Sequence, residues 1–130
     1  LASDRTGFTD WLHQAFTQQE PLTLFEDVWF SPLHMEHLSL ALEWASIRQP
    51  RGVFNLGART GLTKADFALK FARTLGLPTS SVSVGKLADK TLNAARPRDM
   101  RLDVSAFEQA MNWTLPRMDD VIKSSAADYR

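Results

Sequence analysis

Apolar residues in this chain recur first at helical spacing and then in short runs broken by turn formers. Phe8, Trp11, Leu12, Ala15 and Phe16 keep to one side of a 3.6-residue period, which predicts a helix over 6–18. Glu20-Pro21 ends it, because proline disfavours helical backbone in the residue before it. Leu22 to Phe25 and Val28 to Phe30 read as short strands. Ser31-Pro32 reads as the start of the next helix, with serine as cap and proline in the first turn. On that helix Leu38, Ala41, Leu42 and Ala45 form the expected apolar stripe, closed by Pro50-Arg51-Gly52. Residues 52–57 read as a strand bounded by glycines. Thr63 followed by Asp66 resembles a capping box opening a helix. Phe67, Phe71 and Leu75 lie along it, and Gly76 with Pro78 supplies the stop. Val82 to Val84 alternates like a strand. Residues 85–103 carry many charges and weak periodicity, and read as an extended loop. Two helices close the chain, over 104–112 with Asp103 as cap and over 114–129 with Pro116 in the first turn. Met118, Val121, Ile122 and Ala126 share one face of the last.

This order predicts an α/β or α+β domain with about five helices and a small sheet of short strands. A sheet that small needs other structure over its edges. With 130 residues the chain forms one domain, and no internal repeat or linker divides it. The charges balance at fifteen basic and fifteen acidic residues, which argues against a nucleic-acid or anionic-membrane binder. No apolar run is long enough to span a bilayer, and no signal peptide opens the chain. The absence of cysteine excludes disulfides and thiolate metal sites and fits a cytoplasmic protein. The chain opens on Leu1 rather than methionine, so further sequence is expected before it.

Candidate chemistry is concentrated in few places. His34 and His37 stand three apart with Glu36 between them. Zinc-binding pairs on one helix are usually four apart, so these read as surface or pocket-lining groups and no metal is expected. Trp11, Trp44 and Trp113 sit beside apolar stripes and read as core or domain-edge residues. Trp29 follows Glu26-Asp27-Val28 at a strand end, where α/β proteins often place ligands. The richest stretch is 95–103, with Arg96, Arg98 and Arg101 interleaved with Asp99 and Asp103. Arginine donates paired, charge-assisted hydrogen bonds to phosphate, and aspartate accepts from sugar hydroxyls. Such a loop suits a nucleotide-diphosphate sugar; the alternative is a solvated loop with local ion pairs. Gly57 and Gly61 follow a predicted strand, but without the spacing of a dinucleotide fingerprint or a P-loop.

Several motifs together resemble a known family. Arg96-Pro97 followed by Leu102-Asp103 is similar to the Arg-Pro-x-x-Ser-x-Leu-Asp element of extended short-chain dehydrogenases/reductases. Asn112-Trp113-Thr114-Leu115-Pro116 resembles the Gly-Trp-x-x-Pro turn before their last helix. Residues 25–34 are similar to their Asp-Gln-x-Gly-x-Pro-Thr segment, although Val28 and Phe30 replace the usual Gln and Gly, and in the Arg-Pro element Met100 replaces the usual Ser. The strand at 52–56 and the helix over 63–75 follow in the same order, and Arg5-Thr6-Gly7-Phe8 resembles the arginine-bearing opening of the region. The resemblance spans nearly the whole chain and lies closest to the dTDP-4-dehydrorhamnose reductase group and the NAD-dependent epimerases/dehydratases.

The resemblance implies an α/β fragment: residues 1–130 as the C-terminal, substrate-binding lobe of a Rossmann-type enzyme whose cofactor-binding half is absent. The parent would reduce a keto-sugar nucleotide with NAD(P)H. This chain alone, lacking the glycine loop and the Tyr-x-x-x-Lys pair, would bind no cofactor and catalyse nothing. Carried over residue by residue, Arg96 would contact the diphosphate and Asp99 a ribose hydroxyl, with Arg101 beside them. Trp29, Ser31 and His34 would line the sugar or nicotinamide side. The implied partners are the nucleotide sugar and the missing Rossmann half, with self-association through surface that half would cover. The alternatives are a regulatory, protein-binding module, and an epimerase or dehydratase on the same scaffold.

Overall fold

A computed structural model describes residues 7–87 and 96–130. Arg5 and Thr6, which open the family-like region, and much of the loop expected over 85–103 lie outside the described residues. The elements run α1 (Phe8–Thr17), β1 (Leu22–Phe25), β2 (Trp29–Phe30), α2 (Met35–Arg48), β3 (Leu62–Thr63), α3 (Lys64–Leu75), β4 (Val82–Gly85), β5 (Asp99–Met100), α4 (Ser105–Met111) and α5 (Met118–Ala127). The expected helix-rich α/β architecture holds, with five helices and two small sheets among the described residues. β1 and β4 pair in parallel, with Leu22 opposite Val82 and Phe25 opposite Gly85. β2 is the centre of the other sheet, antiparallel to β3 and parallel to β5.

The main core gathers the faces that helical periodicity marked. Leu12, Ala15 and Phe16 of α1, Phe67, Ala68, Phe71 and Ala72 of α3, and Val121, Ile122 and Ala126 of α5 are all buried together under Leu22 and Leu24. Phe67 and Phe71 lie with rings nearly parallel, 6.3 Å apart, one helical turn along α3. Thr63 caps that helix by accepting from the Asp66 amide at 3.0 Å, and its hydroxyl donates to the Asp66 carboxylate at 2.8 Å. Gly76 ends it at φ +68°, a left-handed turn that glycine adopts without penalty. A second cluster joins Ala41 of α2 to Val104, Phe107, Met111 and Leu115, and Leu33 packs against both clusters.

Four local expectations are corrected. Ser31 does not cap α2. Its hydroxyl accepts from the Leu102 amide at 3.0 Å and its carbonyl from the Ala58 amide at 2.9 Å, so tertiary contacts use both groups. The cap is His34, whose Nδ1 accepts from the Glu36 amide at 3.4 Å. Residues 52–57 form no strand: β2 already has a partner on each side, and Val53 is 98% exposed. Of the stripe on α2 only Ala41 is fully buried, and Leu42 is exposed. Trp11 and Trp44 are exposed, which leaves them the domain-edge alternative and not the core one. α5 starts at Met118 rather than 114, because Leu115 is tied through its amide to Glu108 at 2.8 Å and Pro116 through its carbonyl to the Arg59 amide at 2.9 Å.

Candidate functional site

The region of interest is built around β2. Successive side chains of a strand point to opposite faces. Phe30 turns inward against Phe8 and Phe67, with ring centroids at 5.7 and 5.3 Å. Trp29 therefore turns outward, and its amide donates to the Arg98 carbonyl at 2.7 Å. This bond and the parallel register with Asp99 carry the Arg/Asp segment, read from the sequence as loop, to the strand end as the short strand β5.

There Trp29, Asp99 and Arg101 form one stack. The Arg101 guanidinium lies 4.8 Å above the Trp29 ring. It also grips Asp99 with two hydrogen bonds, Nε to Oδ1 at 2.9 Å and Nη2 to Oδ2 at 2.5 Å. The side-chain bonds from Arg101 hold the Asp99 carboxyl down to about 2, and the same bonds raise the Arg101 pKa. Both groups are solvated, so the pair fixes geometry more than it adds stability. Gly61 permits it: a Cβ there would lie 2.5 Å from Arg101 Cγ and 2.7 Å from the Phe30 carbonyl oxygen. Gly57 has a matching reason, since its Cβ would meet the Ser31 carbonyl oxygen at 2.8 Å. Both glycines of the Asn55–Gly61 segment are therefore packing requirements of β2 and its connectors.

Arg96 lies apart from that stack. It lines a cavity of about 170 Å³ with Lys64, over a floor formed by Phe25, Val28 and Met100. The Leu87 amide donates to Asp27 Oδ1 at 2.7 Å, tying the end of β4 to this rim. The Lys64 ammonium itself lies over the Phe8 ring, 5.6 Å from its centroid, so Arg96 is the cation of this cavity. An arginine beside apolar side chains can hold a phosphorylated group whose other end is flat and apolar. Sequence reasoning missed Lys64. The available signal was its position directly after the Thr63 cap, which sets it at the start of α3 beside β2.

His34 faces a different cleft, of about 430 Å³, between the start of α1, the connector after β2 and the end of α5. Its Nδ1 accepts from the Glu36 amide, so Nε2 carries the proton and donates to Asp128 Oδ2 at 2.9 Å. Tyr129, the chain's one tyrosine, lines the same cleft and donates to Asp10 Oδ1 at 2.5 Å, its ring stacked on His13. The structure thus unites Trp29, Asp99 and Arg101, buries Ser31 as a fastener, and places Arg96 and His34 in two other cavities. Among the described residues no group of three or more His, Cys, Asp or Glu is placed to hold a metal.

Among the described residues, the glycines of the 55–61 segment do not offer a nicotinamide cofactor a pyrophosphate turn. A cofactor pyrophosphate needs open backbone at a glycine-rich turn. Here the space beside Gly57 is taken by Ser31 and Leu102, and that beside Gly61 by Arg101.

With this geometry in place, the fold defines a class: it is the fold found in part of the sugar-nucleotide reductases, dehydratases and epimerases of the extended short-chain type. Among individual proteins, the chain is similar to the dTDP-4-dehydrorhamnose reductase of Bacillus anthracis, solved in complex with NADP. The TM-score is 0.86 at 13% identity, over 95% of this chain and 44% of that one. It is also similar to the dTDP-glucose 4,6-dehydratase of the same organism in complex with NAD (TM-score 0.74, 12% identity, 95% of this chain and 39% of that one). In sequence it is 25% identical, over 130 residues, to a probable low-salt glycan biosynthesis reductase of Haloferax volcanii, covering 98% of this chain and 43% of the relative. The chain thus spans less than half the length of the proteins it matches. No family model matches it. No helix among the described residues is long and apolar enough to cross a membrane.

Proposed function

We propose that this chain is the nucleotide-sugar-binding part of an NAD(P)H-dependent reductase acting on a keto-sugar nucleotide such as dTDP-4-dehydrorhamnose. The observation that carries the reading is the Arg96–Lys64 cavity with its Phe25, Val28 and Met100 floor, at the ends of β1 and β4. The Arg96 guanidinium suits a diphosphate, with Lys64 able to swing to it from the Phe8 ring, and the apolar lining suits the face of a base. The likeness in fold to a dTDP-4-dehydrorhamnose reductase supports the substrate class. In the intact enzyme the cofactor and the proton-transferring groups come from the other part, which would carry the glycine loop and the Tyr-x-x-x-Lys pair that this sequence lacks. Arg96 and Lys64 bind and orient the diphosphate. Ser31 acts indirectly by fixing Leu102 and hence the Arg101 segment.

Isothermal titration with dTDP, UDP and a dTDP-hexose, with NADPH as control, tests this. Binding of the diphosphates but not NADPH, weakened about tenfold or more by Arg96→Ala and by Lys64→Ala, supports the reading. Equal binding by wild type and both variants refutes the assignment of this cavity.

A second reading, a regulatory module that binds protein instead, draws on Arg101. Its guanidinium is already committed to Asp99, which leaves less of it to offer a phosphate. That reading expects no diphosphate binding at all.

A further inference from the structure

The Arg96 cavity is small and has little with which to read the polar edge of a base. At about 170 Å³ it is well below the roughly 300 Å³ or more of a site that encloses a whole drug-sized ligand, so it takes one end of a nucleotide. Apart from Arg96 and Lys64, the described residues of its lining are apolar: Phe25, Val28, Leu87, Pro97 and Met100. Val28 and Met100 stand where the family that the sequence resembles has glutamine and serine, so two side chains able to hydrogen-bond are replaced by apolar ones. Backbone donors around the cavity are engaged as well. The Leu87 amide donates to Asp27 Oδ1 at 2.7 Å, the Lys64 amide to the Val28 carbonyl at 2.8 Å, and the Trp29 amide to the Arg98 carbonyl at 2.7 Å.

A pyrimidine has one polar edge, with N3 and its keto or amino groups, and one apolar edge, C5 and C6. Pressing the polar edge against apolar side chains would leave its donors and acceptors unpaired, so that edge stays toward water at the mouth. The C5–C6 edge then faces the lining. We propose that Met100 is the specificity residue of this site: its thioether packs on the C5 edge, and the site selects a 5-methylated pyrimidine by apolar contact while leaving the keto or amino group at C4 unread. The inference rests on the functional reading above and names the feature of the nucleotide that the cavity recognises. Methionine suits the task, because its flexible, polarisable side chain shapes itself to a ring edge. Met100 is 39% exposed, so a ligand has surface there to cover.

Four nucleotides separate the methyl group from hydrogen-bond reading: dUDP, dTDP, dCDP and 5-methyl-dCDP, titrated calorimetrically with inorganic pyrophosphate as the phosphate-only control. The two methylated nucleotides are expected to bind about two- to fourfold tighter than their unmethylated counterparts, the upper value being full burial of one methyl group. Exchange of keto for amino at C4 leaves affinity unchanged. Met100→Ser, at a position outside both core clusters, removes the difference made by the methyl group. NMR of methyl-labelled methionine locates the contact. Of the four methionine methyls, that of Met100, assigned through Met100→Leu, shifts with dTDP and stays in place with pyrophosphate, because only the nucleotide brings a ring against it. A preference that follows the C4 group instead of the methyl, or dTDP binding that leaves the Met100 methyl in place, overturns the inference and keeps the functional reading. Failure of all four nucleotides to bind sinks the functional reading, and the inference with it.

Discussion

Gly61→Ala is the sharpest test of how β2 is held. The glycine is not needed for an unusual backbone angle; it is needed for space. An alanine Cβ would sit 2.5 and 2.6 Å from Arg101 Cγ and Cδ, and 2.7 Å from the Phe30 carbonyl oxygen. Arg101 is exposed and can swing away, at the loss of its stack on Trp29 and its grip on Asp99. The Phe30 carbonyl belongs to the central strand of the three-stranded sheet and cannot move without shifting β3 or β5. Overpacking of this kind costs about 1–3 kcal/mol, and the backbone obstacle puts this site in the upper half of that range. For a chain of this size that is roughly 3–5 °C of Tm per kcal/mol. Thermal unfolding followed by circular dichroism measures it, and Trp29 fluorescence, isolated by comparison with Trp29→Phe, reports the displaced guanidinium. Adding Arg101→Ala should recover only part of the loss, because the Phe30 contact remains. A Gly61→Ala protein within about 0.5 kcal/mol of wild type and with unchanged fluorescence would refute the packing argument.

Other consequences follow from single residues. Ser31→Ala strips the Leu102 amide of its acceptor and should cost about 1–3 kcal/mol by urea denaturation; a neutral effect would mean water replaces the hydroxyl. Phe71→Ala empties the centre of the main core and should cost about 3–5 kcal/mol, a large share of total stability, so that a stable, cooperatively folding variant would contradict the core assignment. Asp99 has a folded pKa of about 2 against an ordinary 3.8, so its link to Arg101 is fully present above pH 3.8 and is lost as pH falls through 2. Carbon-13 NMR of the Asp99 carboxyl should show that low midpoint and its return toward 3.8 in Arg101→Ala. An ordinary midpoint in the wild type would show that the pair does not persist in solution.

The chain by itself determined the features set by local physics. Phe67 and Phe71 at helical spacing, the Thr63–Asp66 cap, the Gly76 stop and the Val121–Ile122 face were all legible, because periodicity and capping involve residues within a few positions of one another. The proximity of Trp29 to the Arg/Asp segment was only suggested, since it depends on the parallel pairing of β2 with β5 across seventy residues of chain. Tertiary structure alone decided that Ser31 fastens Leu102 through its hydroxyl and Ala58 through its carbonyl instead of capping a helix, because the distant Leu102 amide takes the side-chain acceptor that a cap would need. It alone refused residues 52–57 a place in the sheet, as β2 has only two edges and β3 and β5 hold them. It also separated Arg96 from Arg101, neighbours in sequence, by committing one guanidinium to Asp99 and Trp29 while the other joined Lys64 over an apolar floor.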